Sequence, residues 1–458
     1  MIKKLFLVSL VASQLMVSCS SDDSKEETPT EQTRDEQIAA ILKQPYSKLT
    51  PADQKIKLEA EANEMFVQLD KSKSSGAIEA TQNLNRLLEI SEVDVTNGKN
   101  SNKIEDILNV SGVYGIYTWD NTAKTWVKTA STTELKFVFP AKKTQTTNNA
   151  ILSVKAVASD VKVKSIDTYG KWTYDAVKQQ YIQSPSVYDY FFLPTSTDAI
   201  LTIDNTTAAT FTQTAKYSSK NQSPDEFTYK MVLNDGYTWE MNGKKGTENT
   251  SKALFTYNGK TLLDFSAGSS ANIDALINDD KLVQYRGKAN GLIKLMDNFI
   301  IVAETDLATE AADDAALEKS ISYPAYPDSY NAKANYKEYY TAVNAYNKKY
   351  SEGTATIFNK NIKLVLVSKK DGTKIADIVL RSEKSDYDYT TTLPVWDTKN
   401  SYWSHNGTGE SFTRAYYEEE YYLKFNDNTE VSFSTYFSVG FEKLDAKFQD
   451  FIKAFERK

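Results

Sequence analysis

The chain has 458 residues, with 54 lysines and arginines against 61 aspartates and glutamates, one histidine, one cysteine and a formal charge of −7. An acidic protein has no electrostatic reason to bind nucleic acid or an anionic surface. The single histidine, His405, excludes a multi-histidine zinc site and confines any serine, histidine and acid triad to itself, while one cysteine cannot close an internal disulfide.

The first residues, Met1-Ile2-Lys3-Lys4, are positive; Leu5 to Ala12 is apolar; and the run ends in Leu15-Met16-Val17-Ser18-Cys19. A charged start, a short apolar centre and a small residue at the end are the parts of a secretory signal peptide. The centre is too short to span a bilayer, which takes about 20 apolar residues. Met16-Val17-Ser18-Cys19 resembles the lipobox of bacterial lipoproteins, which implies cleavage after residues 1–18 and a lipid on the Cys19 sulfur. Two acyl chains give stable membrane attachment. Loss of residues 1–18 takes the charge from −7 to −9, because Lys3 and Lys4 leave and no acid does. Behind the cysteine, Ser20-Ser21-Asp22-Asp23 is similar to the acidic export signal of surface lipoproteins of the Bacteroidota. That likeness implies an address at the outer membrane, on the cell surface or alternatively on its periplasmic face, and no activity. Residues 19–45 are expected to be an acidic disordered tether, since Ser20 to Arg34 has almost nothing apolar to bury.

Residues 46–110 read as an N-terminal helical segment. Thr50 and Pro51 suit an N-cap and first helical position, and Asp53 suits the positive helix start. Leu58, Ala62, Met65, Phe66 and Leu69 then form an apolar stripe, and Ile78 to Ile90 reads as a second helix through Leu84, Leu87 and Leu88.

Residues 111–305 read as β-rich. Tyrosine, at 29, outnumbers glycine, at 17, and favours half-buried pleated surfaces. Two stretches, "GIYTWDNTAKTWVKT" from Gly115 and "GKWTYDAVKQQYIQS" from Gly170, share glycine, a pair of aromatics two apart, an aspartate, and a later aromatic. In each, the aspartate starts a turn and the later ring, Trp126 or Tyr181, pairs across it. The pattern describes a duplicated hairpin, either packing its own core or offering two aromatic platforms to a ligand. Asn242-Gly243 and Asn258-Gly259 suit tight hairpin turns. Ala271 to Val283 reads as a short helix, and Leu292 to Val302 as a buried strand or strand pair.

Residues 306–355 read as a helical insert. Ala308 to Lys319 is helical by composition, Tyr323-Pro324-Ala325-Tyr326-Pro327 breaks the chain, and Tyr336, Tyr339, Val343, Tyr346 and Tyr350 repeat at three and four. This tyrosine stripe suits docking onto a sheet, or a groove for a partner or a sugar. Residues 356–458 open with the hairpin "NIKLVLVSKKDGTKIADIVL" around Asp371-Gly372 and end with Leu444, Phe448, Phe451 and Phe455 on an amphipathic C-terminal helix. The whole reads as α+β, with twisted antiparallel β-sheets covered on one side by helices.

For chemistry, alternation in "RAYYEEEYYLKF" sets Glu419 on the more apolar face of a strand, where a raised pKa and a second carboxylate would suit a glycan-active hydrolase. The loop Asn400 to Ser411 holds Tyr402, Trp403, His405 and Asn406 beside two glycines, a combination of rings and hydrogen-bonding groups suited to recognition. The acidic turns Asp386-Tyr387-Asp388 and Asn426 to Glu430 match no EF-hand, and no Walker loop, dinucleotide fingerprint or HExxH motif is present. The expectation is therefore no cofactor and no metal. The function expected is that of a lipid-anchored envelope protein, without catalysis, whose partners are the membrane through its anchor and an extracellular glycan or protein held at Tyr402, Trp403, His405 and Asn406. The alternatives are a glycan hydrolase built on Glu419, and a structural part of an envelope complex using the tyrosine helix.

Overall fold

The chain reverses direction again and again through turns that its own asparagines and glycines dictate. Residues 33–72, 75–96, 103–218, 222–296, 298–385 and 389–436 are described by the computed structural model, without the side chains of 61–66 and 68–72. Four helices come first: α1 (Arg34–Leu42), α2 (Pro51–Ser72), α3 (Gly76–Ile90) and α4 (Ile104–Leu108). Seven strands follow, β1 (Gly115–Asp120), β2 (Thr125–Thr129), β3 (Leu135–Phe139), β4 (Ala150–Thr168), β5 (Trp172–Asp175), β6 (Gln180–Gln183) and β7 (Val187–Ile203). The meander continues with β8 (Thr206–Lys216), β9 (Glu226–Leu233), β10 (Tyr237–Lys244), β11 (Asn249–Tyr257) and β12 (Lys260–Ser269). After the short helix α5 (Ile273–Asn278) come β13 (Lys288–Leu295), β14 (Phe299–Asp306), and the helices α6 (Leu307–Ser320) and α7 (Tyr336–Asn361). The last third holds β15 (Ile362–Ser368), β16 (Thr373–Lys384), β17 (Tyr389–Thr392), β18 (Val395–Asp397), β19 (Tyr402–Ser404), β20 (Ser411–Arg414), β21 (Tyr417–Lys424), β22 (Glu430–Ser432) and α8 (Phe433–Tyr436).

The fold is α+β, 25% helical and 44% strand, around one large twisted sheet. Sixteen strands pair in the order β2-β1-β3-β4-β7 to β16-β21-β22, beside three two-stranded ribbons. Every neighbour is antiparallel except β1 and β3, which run parallel. One row of cross-strand partners crosses most of the sheet: Leu135 to Val154, Ala199, Phe211, Met231, Trp239, Phe255, Leu263 and Leu295. A period of two keeps that row on one face, and helices seal it. At the start α3 buries Leu84, Leu87 and Leu88 among Tyr117, Trp119 and Phe137. At the end α7 buries Ala355 and Phe358 among Leu364, Leu366 and Ile378.

The opposite face of β13 to β15 is also covered. There Ile38 and Ile41 of α1 pack on Leu292, Ile300, Val302, Val365 and Val367. Cover on both faces explains why Leu364 to Ser368 is buried without alternation, and it corrects the expectation of helices on one side only. Residues 34–42, expected inside the tether, thus form a helix, with a Thr33 and Glu36 capping box and a buried isoleucine pair. Leu58 of the stripe on α2 is buried; Ala62, Met65, Phe66 and Leu69 fall outside the described side chains.

Turn chemistry accounts for register. Two-residue loops close β7 to β8 at Asp204-Asn205 and β11 to β12 at Asn258-Gly259, all four residues at positive φ, as a type I′ turn needs. Asn242-Gly243 is not a turn: both residues lie within β10, paired to β9 and β11. The chain reverses earlier, at Asn234 to Gly236, where Gly236 has φ +100°. The expected helix over Ala271 to Val283 shortens to Ile273–Asn278. The expected C-terminal helix, with Leu444, Phe448, Phe451 and Phe455, lies outside the described residues.

Candidate functional site

The duplicated motif folds twice into the same local structure. In β1 and β2, Trp119 stands opposite Trp126 with ring centroids 5.3 Å apart; in β5 and β6, Tyr174 stands opposite Tyr181 at the same distance. Asp120 Oδ1 accepts from the Thr122 and Ala123 N–H groups, and Asp175 Oδ1 from those of Val177 and Lys178. Lys124 and Gln179 close the two turns at positive φ. Burial separates the copies. Trp119 is 3% exposed under α3, and Trp126 donates its ring N–H to the Leu87 carbonyl. Trp172, Tyr174 and Tyr181 are 63%, 56% and 67% exposed.

The second copy is bare because of where it sits. Strands β4 and β7 pair far beyond the sheet, through Lys162 opposite Phe192 to Thr168 opposite Val187, and the β5–β6 hairpin tips that arm. One face of the arm carries Ile166, Tyr188, Tyr190 and Phe192, all exposed, with the Lys164 ammonium 3.8 Å from the Tyr188 ring centroid and Lys162 at 5.1 Å from that of Tyr190. The other face is held to the body: Val163 and Asp167 are buried, and Ser111 donates from its N–H and hydroxyl to the Phe192 carbonyl.

That anchored face also gathers carboxylates. Oxygens of Asp94, Asp167 and Asp189 lie within 4.8 Å of one another, a hard-oxygen set of the kind that suits Ca²⁺ or Mg²⁺. Burial, and then the charges of Asp94 and Asp167, push the Asp189 carboxyl above the usual range, against a hydrogen bond with Thr96. Sequence reading missed this trio because the three residues come from separate segments, and none is flanked by a ligand pattern.

The loop residues Tyr402, Trp403, His405 and Asn406 enter a different aromatic surface. Trp403 is held: its backbone N–H donates to Ser329, its ring N–H to the Asn331 carbonyl at 2.9 Å, and its ring lies 5.3 Å from Tyr336 and 5.9 Å from Trp396. His405 Nε2 shares a hydrogen bond with the Tyr326 hydroxyl at 3.2 Å, and its ring meets Tyr336 edge on. Tyr402 pairs with Asp397 on β18, while Asn406 turns its Oδ1 back to Thr408. The structure brings Trp403 and His405 together with the tyrosine stripe, and leaves Asn406 capping its own turn. Tyr336 is buried, whereas Tyr323, Tyr326 and Tyr330 on the facing segment are exposed. Burial, helped by neighbouring tyrosines, raises Tyr336 and Tyr339 to about 12, so both remain hydroxyl donors at neutral pH.

Glu419 is half-buried opposite Ser382 on β16, two residues from Tyr421, whose ring packs on Phe358. The raised carboxyls of that neighbourhood are on α6: Glu310, pushed up by burial and by Asp314 against Arg286, and Asp314, pushed up by burial and by Glu318 and Asp313 against Arg286. Asp386-Tyr387-Asp388 lies outside the described residues, and Asp427 holds a turn by accepting from the Thr429 N–H. Cys19, Ser20, Ser21, Asp22 and Asp23 also lie outside the described residues, and among those described no helix is long and apolar enough to cross a membrane. No protein-family model, curated protein or solved structure matches the chain.

Proposed function

We propose that this chain is a lipid-anchored cell-envelope protein, attached to the outer membrane through Cys19 and facing outward, that binds an extracellular glycan on the bare rings of the β5–β6 hairpin and carries out no chemistry on it. The observation that carries the reading is the contrast between the two copies of one motif. The first uses its rings to fill the core, and the second presents Trp172, Tyr174 and Tyr181 to solvent at the end of a braced arm. Exposed large rings without a packing role mark binding surfaces, and flat rings stack on the apolar faces of sugars, while Gln183, opposite Trp172, donates from its amide nitrogen to the Gly170 carbonyl and keeps its amide oxygen as an acceptor beside them. The lipobox and the acidic stretch behind Cys19 support the address.

The test is retention of the mature chain on a panel of immobilised polysaccharides, repeated with Trp172→Ala and Tyr174→Ala. A glycan retained by the parent and released by about tenfold weaker binding in either variant, with unchanged folding, supports the reading. Retention equal in all three proteins removes the hairpin as the site. A second reading, docking of an envelope protein, is favoured by the row Tyr188, Tyr190 and Phe192 under Lys162 and Lys164. It predicts no glycan retention, and a stoichiometric partner lost with Tyr190→Ala.

A further inference from the structure

Alternation along the arm of β4 and β7 sorts its charges between two faces. Lys162, Lys164 and Ile166 stand opposite Phe192, Tyr190 and Tyr188, and all six are exposed. Val163, Asp167 and Asp189 turn to the other face, toward the body. The outward face of the paired row therefore carries two cations and no acid; Asp160 lies outside the row, in the register break that precedes Lys162. Each ammonium leans the same way, onto a ring of the facing strand. Lys164 lies 3.8 Å from the Tyr188 centroid, and Lys162 lies 5.1 Å from that of Tyr190 and 6.0 Å from that of Phe192. Among the described residues no carboxylate comes within 4.0 Å of either ammonium.

We infer that this row is a subsite for the carboxylates of a uronic-acid polysaccharide, on the same arm as the hairpin rings and resting on the glycan reading proposed for them. A ring face covered by a cation at 3.8 Å is closed to a sugar, so the row supplies charge and the stacking falls to Trp172, Tyr174 and Tyr181. The rings also hold the two ammoniums in place before any ligand arrives, which lowers the cost of ordering two long side chains on binding. Each ammonium can then give a carboxylate a charge-assisted hydrogen bond. Same-face neighbours on a strand stand about 7 Å apart, so one extended chain can meet both. The protein as a whole is acidic and gathers only two cations here, which suits one charge per sugar better than a densely sulfated polymer.

The test measures retention of the mature full-length chain on polygalacturonate, alginate and hyaluronan at about 0.15 M salt, where charges beyond about 8 Å are largely screened. Each polymer is set beside its carboxyl-reduced form, which keeps the backbone and turns every uronate into an alcohol. At least one acid form should be held about tenfold more tightly than its reduced partner, and the difference should close near about 1 M salt. Lys162→Gln combined with Lys164→Gln should bring the acid form down to the level of the reduced one, while Trp172→Ala should weaken both forms alike. Equal retention of acid and reduced forms by the parent overturns the uronate subsite and leaves the hairpin reading standing. So does a preference that survives the double substitution, or dextran sulfate held more tightly than every uronate polymer. Retention of no polysaccharide, acidic or neutral, removes the hairpin reading and this inference with it. Because the acid and reduced forms are compared on the parent, a double variant that fails to fold does not decide the outcome.

Discussion

Tyr174 and Tyr181 face each other across the β5–β6 hairpin with ring centroids 5.3 Å apart and planes at 63°, and each is more than half open to solvent. Their counterparts Trp119 and Trp126 make the same edge contact at 70° inside the core. One local sequence therefore specifies the hairpin, and the surroundings decide what its rings do. Substitution should separate the two copies cleanly. Trp119→Ala empties a fully packed site under α3 and should cost about 3–5 kcal/mol. Tyr174→Ala removes an exposed ring and should stay within about 0.5 kcal/mol of the parent. Chemical denaturation of both variants checks this, and a large loss in Tyr174→Ala would show that the second hairpin is covered in solution.

Arg34 extends across Gly268, where its guanidinium bonds to Asn290 Oδ1 and pairs with Glu248. A Cβ on Gly268 would collide with that guanidinium. Gly268→Ala should therefore push Arg34 away and loosen the start of α1, at a cost of about 1–2 kcal/mol for charge-assisted bonds that are partly exposed. Hydrogen exchange over residues 34–42 is the measurement. Faster exchange there, with the strands of the sheet unchanged, is the expected pattern; unchanged exchange would mean that Ile38 and Ile41 hold α1 without help.

How much of this was legible in the sequence depends on whether the deciding forces were local. The duplicated hairpin, the Asn258-Gly259 turn, the Asp371-Gly372 hairpin and the helices around Leu84 and Tyr346 follow from short-range patterns, and they stand where those patterns put them. The joining of sixteen strands into one sheet does not, because strand neighbours are set by long-range pairing. Asn242-Gly243 shows the limit most sharply: an Asn-Gly pair favours a turn, yet the β9 and β11 ladders on either side keep it extended. The exposed arm was equally hidden, since nothing in "GKWTYD" distinguishes a bare ring from a buried one. Asp94, Asp167 and Asp189 are joined only by tertiary structure.

The Asp189 carboxyl gives a pH prediction with a definite sign. Its pKa in the folded chain is raised, chiefly by burial and then by Asp94 and Asp167. The folded state thus holds that proton more tightly than the unfolded state, and stability falls as pH rises from the ordinary aspartate value through the raised one. At neutral pH the ionised Asp189 works against folding. Asp189→Asn keeps the shape, removes the charge, and should raise Tm at pH 7 while matching the parent below about pH 4. A lower Tm at pH 7 would mean that the charge is needed, and disappearance of the parent's advantage on addition of a chelator would identify a bound cation as the reason.

Trp403 is the point at which the aromatic loop is fastened to the rest of the chain. Its two donors are committed to Ser329 and Asn331, and its ring fills the gap between Tyr336 and Trp396. Trp403→Phe retains most of the packing and loses the ring N–H, leaving the Asn331 carbonyl without that donor, at about 0.5–1.5 kcal/mol. Trp403→Ala loses both and should approach the range of about 3–5 kcal/mol for a large aromatic truncation, tempered because the ring is only half-buried. If this surface serves only to hold α7 against β18 and β19, glycan retention should survive Trp403→Phe unchanged, as binding on the β5–β6 hairpin requires. Loss of retention with Tm preserved would instead move the ligand from Trp172 to the cluster of Tyr326, Tyr336 and His405.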